Sequence, residues 1–153
     1  VCSSDLIPTV RYRYETTAGY GSTNTKIRQF GTNRQAVDPN ANLTCTSTAA
    51  AGLSCTVNSP GTYNVVYTDF ILSGTCNIGV SVNSTQLTTN LESQTDPLVR
   101  LTSARASSNS MQVSVTRNFI TGDVIRPHGD GSCDATSVNY PGSFSFAITK
   151  VAN

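Results

Sequence analysis

Charge is scarce in this 153-residue chain. Asp, Glu, Lys and Arg together make up 12% of it, and the formal net charge is +1. A nucleic-acid binder needs clustered Lys and Arg to neutralise phosphates, and here no basic run exceeds "RYR" at Arg11–Arg13. No apolar run approaches the roughly 20 residues that span a bilayer, so membrane insertion is not expected. There is no Trp and one His. The start, "VCSSDLIPTV", has neither the basic region nor the apolar core of a signal peptide, and no initiator Met. The chain therefore reads as a processed protein or as the C-terminal piece of a longer one, with residues 1–153 forming one domain.

Helical periodicity is also missing: no window of a dozen residues keeps apolar positions at i, i+3, i+4 and i+7. What recurs is alternation with a period of two. Tyr63, Val65 and Tyr67 share a face, as do Ile78, Val80 and Val82. Met111, Val113, Val115 and Phe119 form a third set; Phe144, Phe146 and Ile148 form a fourth. Gly, Pro, Asn or Ser bounds each run. Successive strand side chains point to opposite faces, so these runs predict strands with one dry side. With the weaker runs "VRYRYE", "TKIRQF", "LSCTVN", "LVRLTSAR" and "DVIRPH", the expectation is an all-β antiparallel sandwich jelly roll of eight to ten strands. The longest connection, Asn83 to Pro97, is polar and predicts a surface excursion.

Five cysteines without CxxC or zinc spacing favour disulfides over a metal site and hence an oxidising, extracellular or exported setting. Reduced cysteines buried as small hydrophobes are the alternative.

Three segments resemble the trimeric jelly-roll superfamily of tumour necrosis factor and the globular head of the first complement component. "SPGTYNVVYTDFILSG" is similar to its Pro-Gly-x-Tyr strand. "VTRNFITGDVIRPH" resembles its strand, Gly-Asp turn and strand, and "GSFSFAITKV" its last central strand. Earlier, "GYGSTNTKIRQF" and "VSVNSTQLTTN" are similar to bacterial and phage-encoded versions that form fibre tips, including tail-fibre-like adhesive trimers of predatory bacteria.

The resemblance implies one sheet of strands A, H, C and F and another of B, G, D and E. It further implies that the strand containing Arg126 runs antiparallel to the strand starting at Cys76. A Cys76–Cys133 bridge follows from that topology, alongside a Cys45–Cys55 bridge across "TSTAAAGLS". Cys2 is left unpaired or linked to a stalk or another subunit. The resemblance also implies a homotrimer on the A-H-C-F sheet. Tyr63, Tyr67, Phe70, Phe119, Phe144 and Phe146 then fill either the core or the subunit boundary.

The stretch "GDVIRPHGDGSCD" collects the chain's polar chemistry. As a metal site it offers His128, Asp130 and Asp134, with Asp123 nearby. One His with flexible carboxylates is a poor zinc site, and no EF-hand loop is present, so no metal and no cofactor are expected. No nucleophile elbow and no marked pair of carboxylates appear, so the chain is not read as an enzyme. As a recognition site the stretch does better. Arg126, His128, Asp130, Asn139 and Tyr140 supply hydrogen-bonding groups and an aromatic face suited to sugar hydroxyls and ring faces. The resemblance puts them at the end opposite the termini.

The expected function is thus a non-catalytic trimeric fibre tip recognising a cell-surface glycan or similar polymer. The alternatives are a secreted complement-like or cytokine-like ligand for a protein receptor, or a cap that only trimerises a stalk. Asn42 and Asn83 head glycosylation triplets, NLT and NST. His128 is expected to be a solvated side chain without a role, with a pH response near its unperturbed pKa of about 6.5 as the alternative.

Overall fold

The computed structural model describes residues 10–71, 74–95, 97–105, 109–130 and 144–153. The strands are β1 (Arg11–Tyr20), β2 (Arg28–Val37), β3 (Leu43–Thr48), β4 (Gly52–Val57), β5 (Gly61–Ile71), β6 (Gly74–Val82), β7 (Pro97–Arg105), β8 (Asn109–Phe119), β9 (Val124–Gly129) and β10 (Ser145–Ala152). A single 3-10 turn, Leu91–Ser93, interrupts the connection between β6 and β7. The described residues contain no α-helix.

Alternation translates directly into two layers. One sheet has the order β2-β1-β10-β5-β8 and the other β3-β4-β9-β6-β7, with antiparallel neighbours throughout. The expected A-H-C-F sheet is β1-β10-β5-β8, and the expected B-G-D-E sheet is β4-β9-β6-β7. Tyr63, Val65 and Tyr67 of β5, Ile78 and Val80 of β6, and Phe146 and Ile148 of β10 all point between the layers and are buried. Strand β3 was missed as an alternating run because Leu43 is its one buried residue; the rest is hydroxyls and a half-buried cysteine on an edge.

The six aromatics expected at core or subunit boundary all belong to the core. Phe30, Tyr67 and Phe146 meet with centroids 6.2–6.4 Å apart, and Phe70 meets Phe144 edge-on at 6.1 Å. The outward face of the same sheet instead carries small and polar groups. Thr62 donates to Asn118, and Asn64 donates to Ser114 and Thr116.

The hairpin of β3 and β4 sets Cys45 directly opposite Cys55, and the two form a disulfide. Cys76 is disulfide-bonded as well. Cys133, its expected partner, and Cys2 lie outside the described residues.

Strand direction fixes the ends of the molecule. Val10 accepts from the Lys150 backbone N–H, and Arg11 pairs with Thr149, so the described start and finish of the chain share one end. The β8–β9 turn lies at that end, where Gly122 takes a φ of +94° that a side chain rarely adopts. Asp123 closes the turn by accepting from Ile120 N–H at 3.0 Å. Strand β9 then runs away from the chain ends and finishes at Gly129 and Asp130, on the far side.

Candidate functional site

Strand β9 has Ile125 in the core, so Arg126 and His128 face the opposite, outer side of their sheet. That outer side is covered. Residues 84–95, part of the Asn83–Pro97 connection expected as a polar surface excursion, lie over it, with Leu91, Gln94 and Ser84 buried. His128 is 0% exposed beneath this strap. Its Nδ1 pairs with Ser81 Oγ at 3.1 Å and its Nε2 meets the Gln94 side-chain amide. Gln94 Nε2 also donates to the carbonyls of Thr89 at 2.9 Å and Gln86 at 3.2 Å, which secures the strap to itself.

Asp130 is likewise engaged. Its Oδ2 accepts from both the backbone N–H and the side-chain amide of Asn77 at 3.0 Å, and its carbonyl accepts from Lys26 Nζ at 2.7 Å. These bonds pin the end of β9 beside β6 one residue from Cys76, as the expected strand pairing requires. Gly129 permits a close approach: a Cβ there would stand 2.8 Å from the Tyr20 hydroxyl. Arg126 is half-buried, and burial lowers its pKa from the ordinary guanidinium range.

The structure therefore divides the five candidate recognition residues. Arg126 keeps an accessible part. His128 and Asp130 are buried and bonded within the fold, so an exposed binding role for these two side chains does not match their surroundings. Asn139 and Tyr140 lie outside the described residues, as does Asp134. Asn42, which heads the first glycosylation triplet, is buried; its side-chain amide donates to Asp38, which leaves no room for a glycan.

Ser81 and His128 form a nucleophile–base pair on paper. Their neighbour on the far ring nitrogen is an amide, however, and the ring has no exposed surface for a substrate to reach. Among the described residues no three His, Cys, Asp or Glu side chains converge as metal ligands, and no cavity of ligand size opens.

Two buried polar clusters escaped the sequence reading. Near the far end, Arg28 and Asp69 form an ion pair at 2.7 Å, both side chains fully buried. The Tyr67 hydroxyl donates to the other carboxylate oxygen, and the Phe70 N–H donates to Oδ1 at 2.8 Å. The guanidinium lies 4.7 Å from the Tyr20 ring centroid and 4.9 Å from that of Phe144. Burial pulls the Arg28 pKa down, but the charges around it, Asp69 first, outweigh burial and hold it above its ordinary range. Burial pushes the Asp69 carboxyl up, and Arg28, Tyr67 and Phe70 only partly reverse that. The second cluster, at the end that holds Val10 and Ala152, joins buried Lys150 and Asn42 to half-buried Ser59 and Asp38. Period-two parity was the available signal. Asp69 continues the Tyr63–Val65–Tyr67 face, Lys150 continues Phe146–Ile148, and Arg28 shares a face with Phe30.

No family model and no curated relative matches the sequence. Solved structures do match. Murine APRIL at pH 8.0 superposes with a TM-score of 0.63 at 13% identity, over 94% of this chain and 99% of that one. Eiger TNF from S. frugiperda superposes with a TM-score of 0.64 at 12% identity, over 95% of this chain and 94% of that one. At such identities the likeness is one of fold, and the fold is a tumour-necrosis-factor-like jelly roll.

Proposed function

We propose that the chain is a non-catalytic, homotrimeric binding module, a single tip domain over residues 1–153 that recognises a cell-surface glycan or similar polymer with the end opposite its termini. The observation that carries this reading is polarity. Val10 and Ala152 lie together at one end, while β9 delivers Asp130 to the other. A stalk attached at the first end leaves the second facing outward. The lack of a ligand-sized cavity among the described residues fits contact with an extended surface better than capture of a small molecule. Each site is then weak, and three copies per tip multiply its strength. The Cys45–Cys55 disulfide agrees with an extracellular location.

The trimer is expected to close through the outward face of β1-β10-β5-β8, where Val66, Ala147 and Thr149 are half-buried in the single chain and hydroxyls dominate. Light scattering tests it: a trimer that falls to monomer on Ala147→Arg is the expected outcome, and a monomeric parent protein overturns it. A glycan array with the trimer tests recognition, with Arg126→Ala expected to lower binding. Binding that is unchanged in Arg126→Ala and in Tyr140→Ala would remove this end from the reading.

A second reading, a secreted ligand for a protein receptor, draws on the structural neighbours titled APRIL and Eiger TNF. The parent gene separates the two. A β-helical or coiled stalk ahead of residue 1 fits the tip, and a collagen-like Gly-x-y stalk fits the ligand.

A further inference from the structure

Lys150 follows Phe146 and Ile148 on the inward face of β10, so its side chain enters between the sheets. It is 6% exposed, and Asn42, just before β3 of the other sheet, is 4% exposed. Lys150 Nζ donates to Asn42 Oδ1 at 3.1 Å and to Ser59 Oγ at 3.2 Å. Among the described residues no carboxylate lies within ion-pair distance of this ammonium. The acid of the cluster stands one group further on. Asp38 Oδ1 accepts from the Asn42 backbone N–H and from Asn42 Nδ2, both at 2.8 Å, and its Oδ2 accepts from Leu43 N–H at 2.7 Å.

A buried amine, a buried carboxamide and a half-buried carboxylate thus stand in one hydrogen-bonded row. The surroundings are shaped to the amine. The Tyr63 ring centroid lies 5.7 Å from Nζ, and the Tyr63 hydroxyl is tied to the Ser59 carbonyl at 2.7 Å. Gly61, at φ +152°, makes room for it: a Cβ there would stand 2.5 Å from Lys150 Cε.

We propose that Lys150 and Asn42 join in an isopeptide bond that the folded chain makes unaided, with Asp38 handling the protons. Nζ first gives up one proton, which Asp38 takes; the freed lone pair then adds to Asn42 Cγ, and the Cγ–Nδ2 bond breaks with its electron pair passing to nitrogen. Of the three protons on the lysine ammonium, one stays on the new amide. The other two leave with the carboxamide nitrogen as an ammonium ion, so charge and atoms balance without oxidant, reductant or co-reactant.

Asp38 is already bonded to the departing nitrogen, the position from which it accepts a proton released by the amine and returns it to Nδ2. A carboxamide is inert to a free amine in water. Fixed approach and exclusion of water supply the acceleration, since well-oriented intramolecular reactions reach effective molarities of about 10⁵ M or more. The bond ties the last strand of one sheet to the head of β3 in the other, at the end where the chain leaves the domain.

The intact mass of the purified, disulfide-reduced chain tests this, together with a protease digest. The expected mass is one ammonia below that of the sequence, with a branched peptide joining residues 42 and 150. Lys150→Met and Asp38→Ala should restore the full mass while the far-ultraviolet spectrum still reports sheet. A full-mass parent with Asn42 and Lys150 in separate unmodified peptides overturns the proposal. Ammonia loss confined to a linear Asn42 peptide, a cyclised asparagine, overturns it equally. A branched peptide formed undiminished in Asp38→Ala would remove Asp38 from the chemistry.

Discussion

The sandwich buries a cation at each end, and the two are treated differently. At the far end Arg28 meets its acid directly, and an aromatic hydroxyl and a backbone N–H complete the carboxylate. At the end that holds Val10 and Ala152, the Lys150 ammonium meets only neutral oxygens among the described residues, while Asp38 is bonded to the amide beside it. Direct pairing neutralises both charges and leaves a closed, inert unit. The interrupted arrangement leaves an amine against an electrophilic carbon, with a proton carrier behind it. An ion pair is therefore no guide to where a buried Lys or Arg does chemistry; the separation between cation and acid is more informative.

Removing the far-end cation should have the largest effect. Arg28→Met strips the partner from a buried carboxylate, and a loss of about 3–5 kcal/mol at pH 7 is expected in urea unfolding. The pH dependence sharpens this. Burial already holds the folded Asp69 pKa above its unfolded value. The contribution of Asp69 is therefore fully present in acid and is lost as pH rises through the folded pKa. Arg28→Met removes the main opposing charge, so its deficit against the parent should be smaller at pH 4 than at pH 7. A deficit that grows on acidification would contradict this.

At the other end, Asp38→Ala is best measured in a Lys150→Met background, where no cross-link can form. Asn42 and Leu43 then lose the acceptor for three N–H groups, and about 2–3 kcal/mol is expected. Tyr67→Phe removes one hydroxyl from the far-end unit and should cost about 1.5 kcal/mol. Asn64→Ala, on the exposed hydroxyl ladder and in neither cluster, should change monomer stability by less than about 0.5 kcal/mol. If Asn64→Ala approached the cost of Arg28→Met, the distinction between buried and surface polar networks would fail.

Nine of the ten strands among the described residues were legible because a half-buried strand must alternate, and alternation survives in the one-dimensional text. Strand β3 was not, since it is an edge with one buried residue. The proposed recognition stretch was read less well. Arg126, His128 and Asp130 are neighbours in the chain, which invited their grouping as one recognition site. Strand β9 continues through His128, and a polar strap from a distant part of the sequence closes over the ring. Polar composition does not reveal such a cover, because Gln94 and Ser84 are buried through hydrogen bonds and not through hydrophobicity.

The residues alone determined that this protein is two antiparallel layers of half-buried strands, because the period of burial in a strand is local and each run carries it independently. Which polar groups would be buried together was decided only by tertiary structure. Arg28 and Asp69 are separated by 41 residues and Asn42 and Lys150 by 108, and no local rule joins them. The packing of the sheets supplies both the contact and the low-dielectric surroundings that give it consequence.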